Sequence, residues 1–267
     1  MNVILYLILF AMGCIFGSFL TLATYRIPIN QDITHERSYC PKCNHKLSFL
    51  DLIPILSYIF LGGKCRYCKS KISIRYFLME FLGGISFIIL AMLLRINVYT
   101  LDINDIIEFG FGALYIVFLF LIAGIDKEHS KVDKRVLIYG IIISILYSIY
   151  NFFIDESFNI NRFIIYLVVI AIITVINTYE IQKKGKNPYW MNIIVLCIII
   201  SLYTYEVATI VSIIVTLIII ALKLIINKLF SKNKKSIINI KNEPIAFYLC
   251  ISNALTVLFV YIGYLLW

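Results

Sequence analysis

Long apolar runs separated by short polar segments organise this chain. A helix needs about 20 largely apolar residues to cross a hydrocarbon core of about 30 Å. Scanning by that rule predicts eight spans, at residues 2–25, 76–94, 106–125, 136–153, 163–178, 189–203, 207–226 and 244–267. A single polar cluster, Tyr203-Thr204-Tyr205-Glu206, separates the sixth from the seventh. The first stretch lacks a basic n-region and an A-x-A site, so it reads as a span and not as a cleaved leader. One connection breaks the pattern of short links: residues 26–75 form an insert of 50 residues. The pattern predicts an all-α polytopic membrane protein with about eight transmembrane helices. Its expected parts are a first helix at 1–25, a loop domain at 26–75 and a seven-helix region at 76–267.

Composition narrows the class. With 61% hydrophobic and 15% charged residues, the chain is too apolar for a disordered segment or a small secreted scaffold, and a soluble enzyme could not hide so much apolar surface. The net charge of +9 reports topology. With the N-terminus outside, the segments facing the cytoplasm are 26–75, 127–135, 182–187 and 223–243, and they hold 22 of the 24 Lys and Arg residues. Only Arg95 and Arg162 fall outside. Such asymmetry in short loops sets orientation, so both termini are expected outside. The basic excess gives no support for a nucleic-acid partner; the expected environment is the lipid bilayer. The Lys-rich run Ser231-Lys232-Asn233-Lys234-Lys235-Ser236 reads as a solvated connector near anionic headgroups.

Four of the seven cysteines fall in the long loop, as Cys40-Pro-Lys-Cys43 and Cys65-Arg-Tyr-Cys68, with 21 residues between the pairs. Two C-x-x-C turns at such a separation suit a structural tetrathiolate zinc site, because each turn presents a pair of thiolates spaced like one edge of a tetrahedron. Iron uses the same ligands, and the choice between the two metals stays open. A pair of disulfides is disfavoured in a reducing cytoplasmic loop. His45 reads as a solvated histidine beside the first pair, and Cys14, Cys197 and Cys250 as single apolar residues within spans.

This loop and its flanks carry a resemblance. Gly17-Ser18-Phe19-Leu20, Tyr25-Arg26-Ile27-Pro28, the run Arg37 to Leu47, Ile53-Pro54-Ile55-Leu56-Ser57-Tyr58, Gly63-Lys64-Cys65-Arg66-Tyr67-Cys68, Ile72-Ser73-Ile74-Arg75-Tyr76 and Glu80 resemble the N-terminal domain of the type IV prepilin leader peptidases. The later spans are similar to that family in number and order. The resemblance implies a bacterial plasma (inner) membrane enzyme of the GxGD-type intramembrane aspartyl proteases. Such an enzyme cleaves the basic leader of a prepilin or pseudopilin at the cytoplasmic face. It then methylates the new N-terminus with S-adenosylmethionine.

Proteolysis by two carboxylates requires one to work as base and the other as acid, at one depth on one face. Ionisable residues at span ends are functional candidates by default. Asp126, in Ala123-Gly124-Ile125-Asp126, and Glu180, in Asn177-Thr178-Tyr179-Glu180, end the third and fifth spans at the expected cytoplasmic edge. Resemblance assigns Asp126 as the first catalytic acid, opening Ile125-Asp126-Lys127-Glu128-His129, with Asp133 where the family commonly has proline. At the second acid the family has Gly-x-Gly-Asp followed by x-Lys. Here the run Asn177 to Gln182 lacks both glycines, and Glu180 replaces the aspartate. Asp133, Glu128 and Glu80, the last just inside the second span, are other carboxylates that could stand in on that face. Glu80 is also a candidate for the cofactor site. The Gly83-Gly84 pair reads as close helix packing and not as a cofactor fingerprint. Pro244-Ile245-Ala246-Phe247-Tyr248 stands where the family opens its last helix, with Pro244 read as that helix's first residue. A degenerate relative that binds or methylates pilins is the alternative; a transporter leaves the cysteine loop unexplained.

Overall fold

A computed structural model describes the chain except residues 1, 34–36, 155–159, 185–188, 205, 231–242 and 267, and the side chains of 160, 162, 177, 180–184, 227–230 and 261–266. The described residues are helical apart from the 26–75 loop and short connections; among them the only β-pairing is two isolated bridges inside that loop. The helices are α1 (Asn2–Arg26), α2 (Leu56–Phe60), α3 (Ile74–Leu93), α4 (Ile103–His129), α5 (Lys134–Ile154), α6 (Ile160–Lys184), α7 (Tyr189–Thr204), α8 (Glu206–Phe230) and α9 (Ile245–Leu266). Five of them, α1, α3, α4, α5 and α8, are long and apolar enough to cross a membrane. Shorter apolar segments lie at Phe163–Ile176, Tyr189–Thr204 and Ile245–Val260. The protein is therefore an all-α polytopic membrane protein, with eight apolar helices among the described residues. Several helices outrun the predicted spans. α4 continues past Ile125 to His129, and α6 begins at Ile160 and reaches Lys184. Hydropathy marks only the lipid-facing length, whereas a backbone ladder continues until a cap or turn ends it.

The chain divides into two compact units, Met1–Val117 and Phe118–Trp267. In the first, α1 and α3 pack backbone to backbone. A Cβ on Gly13 would stand 2.4 Å from the Gly83 carbonyl oxygen, and one on Gly17 2.4 Å from that of Met79. In lipid, where apolar side chains gain nothing by leaving their solvent, small residues spaced four apart let helices associate through close van der Waals contact. Arg75 then reaches across from α3 to the hydroxyl of Thr24, at 3.2 Å. Arg26, buried in the last turn of α1, donates to the carbonyl of Asp32 at 2.7 Å, where its charge complements the helix C-terminus.

In the second unit the short helix α7 is the hub, touching α5, α6, α8 and α9. It is apolar all round, and Leu196, Ile199 and Ile200 are fully buried, as expected of a helix with neighbours on every side. α8 and α9 are joined by a polar seam. Thr216 donates to Ser252 at 3.1 Å, Ser212 to Thr256 at 3.4 Å, and the Asn253 amide to Ser212 at 3.4 Å. Hydroxyls and amides of this kind link helices where water cannot compete.

The glycine packing yields a direct expectation. Gly13→Val should lower the thermal stability of the detergent-purified protein by an amount equivalent to about 1–3 kcal/mol. Gly110→Ala, where an added Cβ meets nothing within 4 Å, should leave stability unchanged or raise it. Thermal unfolding of both variants measures the difference.

Candidate functional site

The first constellation is the cysteine loop. Both C-x-x-C turns fold by one rule. The amide of Cys40 donates to the carbonyl of His45 and that of Asn44 to Cys40; likewise Cys65 donates to Ser70 and Lys69 to Cys65. Asn44 and Lys69 both take a left-handed backbone, with φ of 56° and 58°. An antiparallel bridge closes each turn, Tyr39 with Lys46 and Lys64 with Lys71. The four sulfurs all lie within 4.8 Å of one another, and Cys40 Sγ stands 3.8 Å from Cys68 Sγ. Thiolates at about 2.3 Å from a tetrahedral zinc are about 3.8 Å apart, so these residues fit the metal.

Asp51 fastens the second turn to the segment at Ser48. It accepts from Arg66 Nε at 2.6 Å, from the Ser48 hydroxyl at 2.7 Å and from the Tyr67 hydroxyl at 3.3 Å. Tyr67 also stacks on His45, with ring centroids 3.6 Å apart, so His45 is engaged outside the sulfur cluster. Burial pushes the Asp51 carboxyl up, but Arg66 and Ser48 outweigh it and hold the group at about 2. Its contribution to the loop is complete above about pH 4 and is lost only as pH falls through its folded value.

The thiols are electrostatically divided. Backbone amides of Cys43 and Lys42 bring Cys40 down to about 6. The hydroxyl and amide of Ser70 lower Cys68. The His45 amide pulls Cys43 down, but burial and the thiols of Cys68 and Cys40 prevail and push it up to about 11. A divalent cation resolves this conflict by favouring thiolates throughout.

The second constellation is built on Asp126, in the last turn of α4 and 0% exposed. The Tyr189 hydroxyl, at the start of α7, donates to it, 2.9 Å from Oδ1 and 3.1 Å from Oδ2. The Phe247 amide donates to Oδ2 at 3.0 Å. The same Tyr189 oxygen accepts from the amides of Ile245 at 2.9 Å and Ala246 at 3.4 Å. The first three amides of α9 therefore end on one carboxylate and one phenol, where the positive end of the helix dipole favours an anion. Pro244 is the residue before the helix and not its first, because its carbonyl accepts the opening helical bond from Tyr248. Lys127 lies over the Phe247 ring, 4.9 Å from its centroid. One turn beyond Asp126, the buried Nε2 of His129 has no hydrogen-bond partner among the described residues.

Glu180 falls within α6, but its side chain lies outside the described residues. Its neighbour Tyr179 is exposed. Asp133 is engaged elsewhere: it caps α5, accepting from the Arg135 amide at 2.9 Å and pairing with the guanidinium at 2.9 Å. Glu128 is exposed. In the other unit, the buried carboxylate of Glu80 accepts from the Ile55 amide at 2.7 Å and from Ser18. The sequence reading passed over Tyr189, Asp51 and Glu243. Glu243, just before α9, pairs with Lys223 at 2.6 Å. Tyr189 had a faint signal, as a tyrosine opening a span at the same predicted membrane edge as Asp126.

Comparison with known proteins adds a third line. Residues 11–94 match the family model described as bacterial peptidase A24 N-terminal domain. The chain is 40% identical over 145 residues to a prepilin leader peptidase/N-methyltransferase of Vibrio cholerae, covering 51% of this chain and 53% of that one. It is 44% identical over 79 residues to its namesake in Myxococcus xanthus, covering 30% and 24%. With that of Bacillus subtilis it shares 33% over 132 residues, covering 49% and 50%. The chain thus spans at most about half the length of these relatives. No solved structure matches.

Binding a metal through four thiolates displaces the protons the thiols carry, and the raised Cys43 thiol adds to that demand. Zinc affinity should rise with pH from 7 to 9, about tenfold per unit for each proton displaced. Competition with a chromophoric chelator measures it, and Cys43→Ser should abolish tight binding.

Proposed function

We propose a function for a chain that carries the bacterial peptidase A24 N-terminal domain and is related to the prepilin leader peptidase/N-methyltransferases. It removes the basic leader of a prepilin or pseudopilin at the cytoplasmic membrane face, using two carboxylates, and methylates the newly exposed amine. The observation that carries this reading is the buried carboxylate of Asp126, held by Tyr189 and the first turn of α9. A fully buried aspartate near the end of a membrane helix is costly, and residues kept at that cost mark functional sites. Glu180 is the proposed second acid. The distribution of Lys and Arg supports the cytoplasmic placement of these acids and of the cysteine loop, with both termini outside.

In this mechanism one carboxylate takes a proton from water as it attacks the scissile carbonyl, and the other gives a proton to the leaving amine. Tyr189 and the Phe247 amide fix the orientation of Asp126. They approach Oδ1 and Oδ2, and each oxygen keeps further lone-pair capacity for the water. The four cysteines would hold zinc, which organises the loop. S-adenosylmethionine would supply the methyl group. The carboxylate of Glu80 is committed to Ile55 and Ser18, and no residue is assigned to that cofactor.

The alternative, a proteolytically impaired relative that binds or methylates pilins, draws on Tyr179, which stands where the family has a glycine beside its second acid. Co-expression with a prepilin distinguishes the two. Asp126→Asn keeps an acceptor for the α9 amides and should fold, yet it should lower leader cleavage about 10²–10⁴-fold. Glu180→Ala should do the same, whereas Glu180→Asp should retain partial activity. A wild-type protein that leaves the leader attached would favour the alternative. Full cleavage by Glu180→Ala would remove Glu180 from the active site.

Tyr189 adds a finer expectation. Tyr189→Phe deletes one hydroxyl that both orients the acid and accepts two amides. It should reduce turnover about 10²-fold, as expected for a shift of about 1 Å in a catalytic group. Zinc content and substrate binding should be unchanged. Turnover against KM, measured with a prepilin peptide in detergent, separates this from a loss of fold.

A further inference from the structure

The loop between α1 and α3 carries an apolar surface that the cysteine cluster does not use. Phe49 and Phe60 are 81% and 82% exposed, and Leu50, Leu56 and Ile59 are exposed beside them. A solvated loop would not keep two phenylalanines this bare without a partner.

Two independent contacts place this surface beside the membrane-spanning helix. The first is the hydrogen bond from the Ile55 amide to Glu80. Glu80 lies six residues into α3, about 9 Å along its axis from Ile74, so the loop folds back along a helix that itself crosses the bilayer. The second is aromatic. Tyr58 of α2 stacks on Phe77 of α3 with centroids 5.5 Å apart, and Phe77 stacks on Phe81 at 6.0 Å. Both contacts set α2 against the first two turns of α3. Those turns also carry exposed apolar side chains, Ile74, Leu78 and Phe81.

The backbone is forced to achieve this. Ile55 adopts φ 63° and ψ −54°, and the Leu56 amide donates to the Pro54 carbonyl at 2.6 Å, closing a γ-turn on a β-branched residue. Such a turn is strained and persists only when its surroundings hold it; here the buried carboxylate of Glu80 supplies the hold. The charge of the loop is complementary to anionic headgroups, with nine Lys or Arg against three acidic residues over 26–75.

We propose that α2 and the turn at Phe49–Asp51 form an interfacial anchor, inserted into the headgroup–acyl boundary of the bilayer beside α3, with Phe49 and Phe60 as its apolar wedges. Amphipathic elements of this kind bury their apolar side about 5–10 Å into that boundary, and Glu80 holds Ile55 about 9 Å along α3 from its first residue. The anchor fixes the height of the cysteine loop over the membrane independently of any catalytic role.

Single-tryptophan fluorescence of the full chain in nanodiscs tests it. The native tryptophans are replaced (Trp190→Phe, Trp267→Phe), and Phe60→Trp or Phe49→Trp is introduced; both sites are exposed, so neither substitution disturbs packing. With bilayers of phosphatidylglycerol and phosphatidylcholine brominated near the carbonyl end, both probes should emit to the blue. They should lose about half or more of their intensity to the lipid quencher. Lys42→Trp, on the exposed part of the first cysteine turn, should be quenched by acrylamide instead. Emission at the aqueous wavelength, with acrylamide reaching the Phe60→Trp and Phe49→Trp probes as readily as the Lys42→Trp probe, would overturn the anchor. Protection that appears only when a prepilin peptide is added would overturn it in favour of substrate docking.

Discussion

A buried carboxylate must be given donors, and here they are the Tyr189 hydroxyl and the Phe247 amide in the first turn of another helix. The first N–H groups of any helix lack intrahelical partners, and within a membrane protein water cannot supply them. Asp126 and the Tyr189 hydroxyl answer both needs together, joining the ends of α4, α7 and α9 at one point. An acid placed this way is oriented before any substrate arrives. That arrangement is also why its surroundings tolerate little change: the same hydrogen bonds that aim the carboxylate close the end of α9.

The cysteine loop solves a different problem. Among the described residues of the loop, Cys40 and Cys65 are the buried hydrophobic side chains, so it is organised by polar and metal-ligand geometry and not by an apolar core. Two copies of one turn present sulfurs at tetrahedral spacing; Tyr67 of the second packs on His45 beside the first, and Asp51 holds Arg66 and Tyr67. Glu80 then docks the loop on α3 through a turn that Ile55 would not adopt alone. Glu80, considered from sequence as a cofactor candidate, has an observed role in holding that strained turn.

Much of this architecture was legible in the residue order. The eight apolar stretches, the division at Tyr203–Glu206 and the pairing of the cysteines all follow from hydropathy and spacing, which are local properties. The Gly83-Gly84 pair of α3 was legible as packing, because only a missing side chain lets backbones meet, whereas its partners Gly13 and Gly17 on α1 emerge from the tertiary contact. The partners of Asp126 were not legible. Tyr189 and Phe247 lie 63 and 121 residues away, and a phenol or a backbone amide leaves no pattern in a sequence. Asp133 illustrates the converse: it read as an acid available near the site, whereas its position just before α5 makes it a helix cap.

The sequence by itself determined that the chain lives in a membrane, where its apolar helices lie, and which four thiolates can share a metal. Each of these depends on composition or spacing along the chain. Tertiary structure alone decided which helix end meets Asp126, which hydroxyl orients it, and where the exposed aromatics of the loop are carried. Those outcomes depend on helix ends remote in sequence converging, because each orphan amide and each buried charge must find its partner in space.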